Sequence, residues 1–304
     1  MKNIMELINE QVRNDPKNAV LESEKDYKKE IYSVAKHIAD DDNIKIVSIA
    51  GPSSSGKTTT AHILKKMLVE LGEEVTVISL DDFYFPPELL PFLSNGKQDI
   101  ESVNALDVKL INKCFYELIK YGKTVMPRFD FERRQRIDNA NSITLGKKGI
   151  VIVEGLHALN PVITEKIPKK NIYKIYISVN RPILDISGNQ IISSRKVRLI
   201  RRILRDETFR NSNVNHTLSL WNDVVLAESK YLYCFKSEAD IRLSTLHPYE
   251  LCVYKERFSK LKELVKEDAP CFKYFNDAQN AIEKFVSLDA SYVPDSSLLK
   301  EFIG

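Results

Sequence analysis

Residues 51–58 constrain this chain more than any other stretch. Gly51-Pro52-Ser53-Ser54-Ser55-Gly56-Lys57-Thr58 fits G-x-x-x-x-G-K-[ST] at every fixed position, and Thr59 follows directly. Before it, Ile44-Lys45-Ile46-Val47-Ser48-Ile49-Ala50 is a β-branched run that reads as a strand; after it, residues 57–71 read as a helix. Such a loop lets the backbone curl around phosphate oxygens, while successive N–H groups and the helix N-terminus favour anionic charge. Lys57 can then reach the β- and γ-phosphates, and the Thr58 hydroxyl can ligate Mg²⁺. The stretch from Gly51 to Thr59 is therefore expected to bind a nucleotide, with ATP and Mg²⁺ as the cofactors. A phosphate loop specifies a nucleotide, not a reaction.

The rest of the chain alternates short apolar runs with helical patterns. Residues 16–40 read as an amphipathic helix, 75–80 as a second strand and 105–121 as a helix. Residues 149–153 and 172–179 read as further strands, 195–209 and 216–235 as helices, 239–243 as a last strand, and 248–289 as mostly helical. Strands alternating with helices imply an α/β fold: a P-loop NTPase-type parallel sheet flanked by helices, with a helical lid and helical terminal extensions. The expected division is an N-terminal helical extension (1–43), a phosphate-loop domain (44–254) and a C-terminal helical extension packed on it (255–304).

Composition narrows the partners. Lys plus Arg is 45 against 42 for Asp plus Glu, a net charge of +3, which argues against a charge-driven nucleic-acid binder. No secretory leader or membrane-spanning run is visible, so no membrane partner is expected. Cys114, Cys234, Cys252 and Cys271 lie far apart and read as buried thiols in a reduced, cytoplasmic setting. Asp185-Ile186-Ser187-Gly188 matches D-x-x-G but follows a strand without a switch helix, and reads as loop composition. The helical C-terminus could pack on the core or on a second subunit, which leaves a homo-oligomer open.

Two acids follow strands. Asp81, in Leu80-Asp81-Asp82, sits at the carboxyl end of the second strand, where it could accept a hydroxyl proton; a solvated turn or helix cap is the alternative. Glu154 ends the apolar strand 149–153, where phosphate-loop proteins place an acid on the magnesium side, usually as Asp. His157, close by, reads as a packed or hydrogen-bonded residue. Residues 195–210, RKVRLIRRILRDETFR, place Arg195, Arg198, Arg201, Arg202 and Arg205 on one helical face about 120° wide. A guanidinium face repels itself unless anions arrive, and Arg forks suit phosphate. The expectation is a lid over the triphosphate, with an RNA- or membrane-facing helix or a solvated face as alternatives.

Taken in order, GPSSSGKTTTA, SLDDFYFP, MPRFDFERRQR, IVIVEGLHALNP and RLIRRILRDETFR resemble the uridine kinase/phosphoribulokinase family of P-loop kinases. The ending VPDSSLLKEFIG is similar to the tail of a bacterial branch called nucleoside kinase or uridine kinase-like. That branch often carries an N-terminal TGS-type module, which is expected to be missing from these 304 residues. The resemblance implies that Asp81 is the base for a nucleoside 5′-hydroxyl and that Tyr84 lines the nucleoside site. It implies that Glu101 binds ribose hydroxyls, that Phe129 lies near the base, and that Arg202, Arg205 and Arg210 are phosphate-contacting lid residues. Glu154 matches the acid near the metal. Arg134 stands where uridine kinases carry a pyrimidine-reading histidine, Arg210-Asn211-Ser212 replaces their R-G-R, and a base-pocket glutamine falls near Leu220. The phosphoryl-transfer parts match and the pyrimidine-reading parts do not.

The expected activity is therefore ATP-dependent phosphoryl transfer to a small hydroxyl acceptor, a nucleoside first. Asp81, Lys57, Arg202 and Arg205 would be catalytic; Asp81, Tyr84, Glu101, Phe129, Arg134 and Arg210 would bind the acceptor; Thr58 and Glu154 would hold the metal. Two alternatives stand beside it. One is a same-fold kinase for a sugar phosphate or other small alcohol, favoured by Arg133, Arg134 and Arg136. The other is a nucleotide-gated binding protein with weak hydrolysis.

Overall fold

Five short strands pair side by side, all parallel, in a computed structural model that describes residues 3–94, 96–131, 133–146, 149–180, 183–185 and 187–304. In chain order the elements begin with α1 (Ile4–Asn14), α2 (Pro16–Ala39), β1 (Ile46–Ala50), α3 (Lys57–Glu70), β2 (Val75–Ser79) and α4 (Val108–Tyr121). Then come β3 (Lys123–Asp130), β4 (Gln135–Thr144), β5 (Ile150–Glu154), β6 (Ile172–Ser178), β7 (Ile183–Leu184) and β8 (Gln190–Ile192). The chain continues with α5 (Ser194–Phe209), α6 (Val214–Tyr231), β9 (Ile241–Ser244), α7 (Glu250–Lys260), α8 (Phe272–Ile282) and α9 (Lys300–Ile303). The main sheet runs β2-β5-β1-β6-β9. The α/β sheet expected from the alternation is thus the fold observed.

All five residues of β1 and of β5 are buried, because the sheet is covered on both faces. Their side chains divide with a period of two. Val47, Ile49, Ile150 and Ile152 enter one core with α2, α3 and α5, whereas Ile46, Ala50, Val151 and Val153 enter the other with α4. α2 joins the first core through Val20, Tyr27, Ile31, Val34 and Ile38, spaced to fall on one helical stripe. It starts at Asp15, whose carboxylate accepts the Asn18 N–H, with Pro16 at the first helical position.

The strand order places the site. The chain leaves β1 for the β2 edge, returns through β5, then crosses to β6 on the other side of β1. At such a reversal the loops beyond the strands' carboxyl ends diverge and leave a crevice. The phosphate loop, the turn carrying Asp81 and the end of β5 all open there.

Two hairpins, β3–β4 and β7–β8, were not in the sequence reading, and α1, within residues 1–43, is a separate helix capped reciprocally by Asn3 and Glu6. β3 and β4 form an antiparallel hairpin with a register shift between Met126 and Arg128, around Pro127, which has no N–H to give the ladder. Among the cysteines, Cys114 and Cys252 are buried and Cys271 is half-buried, but Cys234 is exposed, so the four are not uniformly core thiols; all are unpaired. The Asp185 carboxylate accepts the Ser187 and Asn189 N–H groups at 2.8 Å each, which makes it a turn residue between β7 and β8; Ile186 lies outside the described residues. Among the described residues, no helix is long and apolar enough to cross a membrane.

Candidate active site

The phosphate loop is shaped by two residues in the left-handed region, Ser54 (φ 57°) and Gly56 (φ 84°). Glycine takes that conformation without a Cβ clash, and Gly56 has a second reason: a Cβ there would sit 2.5 Å from Leu298 Cδ1. Thr60 N–H and Oγ1 both donate to the Gly56 carbonyl, at 2.9 and 2.6 Å, and start α3. Ser53, Ser54, Gly56, Lys57, Thr58 and Thr59 line one cavity of about 810 Å³. Gly51, Pro52 and Ser55 are buried behind them, and the Lys57 ammonium donates to the Pro52 carbonyl at 3.2 Å.

Asp81 lies in a 3-10 turn directly after β2 and faces the same cavity. The cavity walls desolvate its carboxyl and push it above the usual carboxylate range, against the pull of Lys57 and Arg210. The neighbouring Asp82 is used differently: its Oδ1 accepts the Phe129 N–H at 3.2 Å and anchors β3. Glu154, 5% exposed, accepts from Ser79 Oγ at 2.8 Å and from Thr58 Oγ1 at 3.3 Å. Burial and the nearby Asp81 raise its carboxyl too. Glu101 is also raised, first by desolvation, with Arg202 opposing. His157 is packed and hydrogen-bonded as read: its Nε2 meets the Glu101 carbonyl at 2.9 Å, and burial lowers the ring to about 4, so it is neutral at pH 7.

Whether Mg²⁺ suits these residues is a question of donor type. Mg²⁺ takes hard oxygen ligands, with one or two from protein carboxylates or hydroxyls and the rest from phosphates and water. The Thr58 hydroxyl and the Glu154 carboxylate, adjacent at the loop's edge, are such a pair. Among the described residues no cluster of three His, Cys, Asp or Glu could hold a metal unaided, so a phosphate-borne ion is the kind these residues fit.

Across from the loop, the cavity wall is aromatic. Tyr84 and Phe129 meet edge to face with centroids 5.9 Å apart, and Phe129 meets Phe131 at 5.0 Å. Phe85, Leu90 and Ile100 extend this wall and were not singled out by any sequence pattern. Arg134 enters from the β3–β4 turn with φ 54°. Its neighbours do not: Arg136 pairs with Asp107 at 3.1 Å and Asp138 at 2.8 Å, and Arg133 lies 4.0 Å from Asp130.

The arginine helix requires a correction. Its guanidiniums do not form one phosphate-facing set. Arg198 is 3% exposed and grips Glu228 of α6 with two bonds, 2.7 and 2.9 Å. Arg201 is fully buried against Glu250 of α7, at 2.7 and 3.0 Å. Each also donates to a phosphate-loop carbonyl, Arg198 to Ser53 O at 3.0 Å and Arg201 to Ser54 O at 3.4 Å. The Ser53 N–H in turn donates to Glu228 at 2.8 Å. The anions that this face requires are thus partly the chain's own carboxylates. Arg195 is exposed. Arg202, Arg205 and Arg210 do line the cavity, gathered by one buried carboxylate, Asp206, at 3.4, 2.8 and 3.7 Å. One carboxylate shared among three guanidiniums leaves donors of this cluster unmatched by Asp206.

Every residue expected at the site therefore borders the cavity or supports the loop that does. Residues to which the sequence reading gave no role are Asp206, Glu228 and Glu301, the last of which accepts from Thr59 Oγ1 at 2.6 Å. Asp206 stands four residues from both Arg202 and Arg210, a helical spacing visible in the sequence.

A sequence profile described as the Phosphoribulokinase / Uridine kinase family matches residues 46–250. A uridine kinase of Saccharomyces cerevisiae is 28% identical over 213 residues, 68% of this chain and 38% of that protein. One of Schizosaccharomyces pombe is 31% identical over 184 residues, 60% of this chain and 36% of that protein. The chain thus spans little more than a third of these two relatives. A uridine kinase of Clostridium novyi is 25% identical over 224 residues, covering 73% of this chain and 97% of that protein. The match spans the phosphate loop, both strand-end acids and the arginine helix, and the chain belongs to the Phosphoribulokinase / Uridine kinase family.

Proposed function

We propose that this chain is an ATP- and Mg²⁺-dependent kinase that phosphorylates a hydroxyl of a small acceptor, the 5′-hydroxyl of a nucleoside. One observation carries the reading. The Asp81 carboxyl and the phosphate loop with Lys57 border a single cavity, and Tyr84, Phe129 and Phe131 line the same cavity. In this reading the loop N–H groups and Lys57 hold the β- and γ-phosphates. Thr58 and Glu154 hold Mg²⁺, which when bound neutralises phosphate charge. Asp81 takes the acceptor hydroxyl's proton, and a carboxyl raised by desolvation is better matched to that task near neutral pH. Arg202, Arg205 and Arg210 stabilise the charge on the transferring group, since a loose transition state leaves mainly positioning and electrostatics to the protein.

Tyr84, Phe129 and Phe131, packed edge to face, offer apolar ring faces suited to a nucleobase, and Glu101 offers an acceptor for ribose hydroxyls. The sugar-phosphate reading is less well supported than the three arginines of the β3–β4 turn suggest. Arg136 is committed to two aspartates, which leaves Arg134 as the turn's cation at the cavity. A panel of nucleosides, sugar phosphates and simple alcohols, incubated with γ-labelled ATP, tests the proposal. Label should pass to nucleosides. Transfer to a sugar phosphate alone, or hydrolysis without any acceptor product, would contradict it.

A further inference from the structure

The segment after α8 lies outside the profile match, which ends at residue 250, yet it packs against the phosphate loop. Leu298 fills the space beside Gly56. Three residues on, Glu301 Oε2 accepts a hydrogen bond from the Thr59 hydroxyl at 2.6 Å. Thr59 and Glu301 both line the cavity. The segment is fixed in place by partners on three elements. Ser297 is buried and donates to Glu24 of α2 at 2.5 Å. Phe302 is fully buried, with the Arg201 guanidinium of α5 4.9 Å from its ring centre. Arg257 of α7 donates to the Ile303 carbonyl at 3.4 Å. Glu301 is therefore a placed carboxylate and not a passing surface side chain.

Its position along the nucleotide can be worked out. In a phosphate loop the lysine reaches the β- and γ-phosphates and the hydroxyl next to it meets Mg²⁺, while backbone N–H groups cradle the α- and β-phosphates. Lys57 and Thr58 are thus taken by the γ side, and Thr59 with Glu301 borders the same cavity on the residues that those two roles leave, which suits the α-phosphate end and the donor's sugar beyond it. A carboxylate accepts hydrogen bonds and donates none, so it gains nothing from a phosphate and much from a hydroxyl. We propose that Glu301 is a specificity residue of the phosphate-donor site, accepting a hydrogen bond from a ribose hydroxyl of the donor nucleotide while Thr59 fixes its orientation. The inference rests on the reading of residues 51–59 as a triphosphate site.

Calorimetric titration of the full chain with ATP, 2′-deoxy-ATP, 3′-deoxy-ATP and inorganic triphosphate tests it, in wild type, Glu301→Ala and Glu301→Gln. Wild type should prefer ATP to at least one deoxy analogue. Losing a hydrogen bond to a charged group should weaken ATP about 10-fold or more in Glu301→Ala, erase that preference, and leave inorganic triphosphate within about 2-fold. Glu301→Gln keeps one acceptor oxygen and should fall between the two. A wild type indifferent to the ribose hydroxyls overturns the inference. So does a Glu301→Ala variant whose ATP affinity is unchanged, or whose ATP and triphosphate affinities move together in either direction. If wild type binds neither ATP nor triphosphate, the phosphate-loop reading itself fails, a result distinct from the other three.

Discussion

Replacing Arg198 and Arg202 separately with Met should produce two different kinds of damage, although they sit four residues apart on one helix. Arg198 and Glu228 have side-chain exposures of 3% and 2%, and their forked pair also ties down both sides of Ser53. Arg198→Met keeps most of the side-chain volume but leaves Glu228 buried without its cation. Breaking such a pair from one side costs about 3–5 kcal/mol. At about 2 °C per kcal/mol for a chain of this length, Tm should fall by about 6–10 °C. Arg202 differs: it borders the cavity, and Asp206 retains Arg205 and Arg210 when it is removed. Arg202→Met should cost only about 1 kcal/mol of stability, the worth of an ordinary hydrogen bond. Its turnover should nevertheless fall about 10²–10³-fold, the scale for losing one preorganised charge-stabilising group. Thermal denaturation and steady-state kinetics on both variants decide the matter. If Arg198→Met melts within about 2 °C of wild type while losing turnover as Arg202→Met does, Arg198 serves the substrate and the clamp is wrongly assigned.

Three further outcomes are expected. Lys57→Ala should severely weaken ATP binding or turnover, measured by titration and initial rates; a variant unchanged in both would remove the phosphate-loop reading. Phe129→Ala should raise the acceptor KM about 10-fold or more, the scale of losing one base–aromatic stack, with the ATP KM unaltered. The third concerns pH. His157 and His247 are buried and lowered from 6.5 to about 4, His247 by desolvation despite Glu24 nearby. Between pH 6.5 and about 4 the unfolded chain therefore binds protons that the folded chain does not, so stability falls as pH drops through that window. The gap is worth about 3 kcal/mol per histidine at full protonation. Urea denaturation at pH 7 and pH 5 should show the loss, and the His157→Gln and His247→Gln variants should each show less of it.

What the sequence made legible was what is local. β1, the loop and α3 are contiguous, and their motif requires the very order strand, loop, helix in which they occur. Glu154 and Asp81 could be placed because a buried parallel strand ends where ligands bind. The β3–β4 hairpin was not legible for a physical reason: β4 is almost wholly exposed and polar, and β3 contains Pro127, so neither strand shows the alternation that marks a half-buried sheet. With the hairpin went Phe131. The arginine face was legible, but its partners were not. Glu228 is 30 residues from Arg198 and Glu250 is 49 from Arg201, and only packing of α6 and α7 on α5 brings them together. Less visible still was a contact of the phosphate loop's own helix, for Glu301 meets Thr59 across 242 residues.

The kinase account turns on Asp81, and the Asp81→Asn variant tests it most directly. Desolvation by the cavity walls raises this carboxyl, although Asp81 keeps contact with solvent at the cavity. The variant should fold as wild type does and bind ATP normally, while transfer of label from γ-labelled ATP to a nucleoside falls about 10²–10⁴-fold. In wild type the same carboxyl must be ionised to take a proton, so kcat/KM should decline in acid with an apparent pKa above 3.8. Near-normal label transfer by a stable, ATP-binding Asp81→Asn variant would contradict the account.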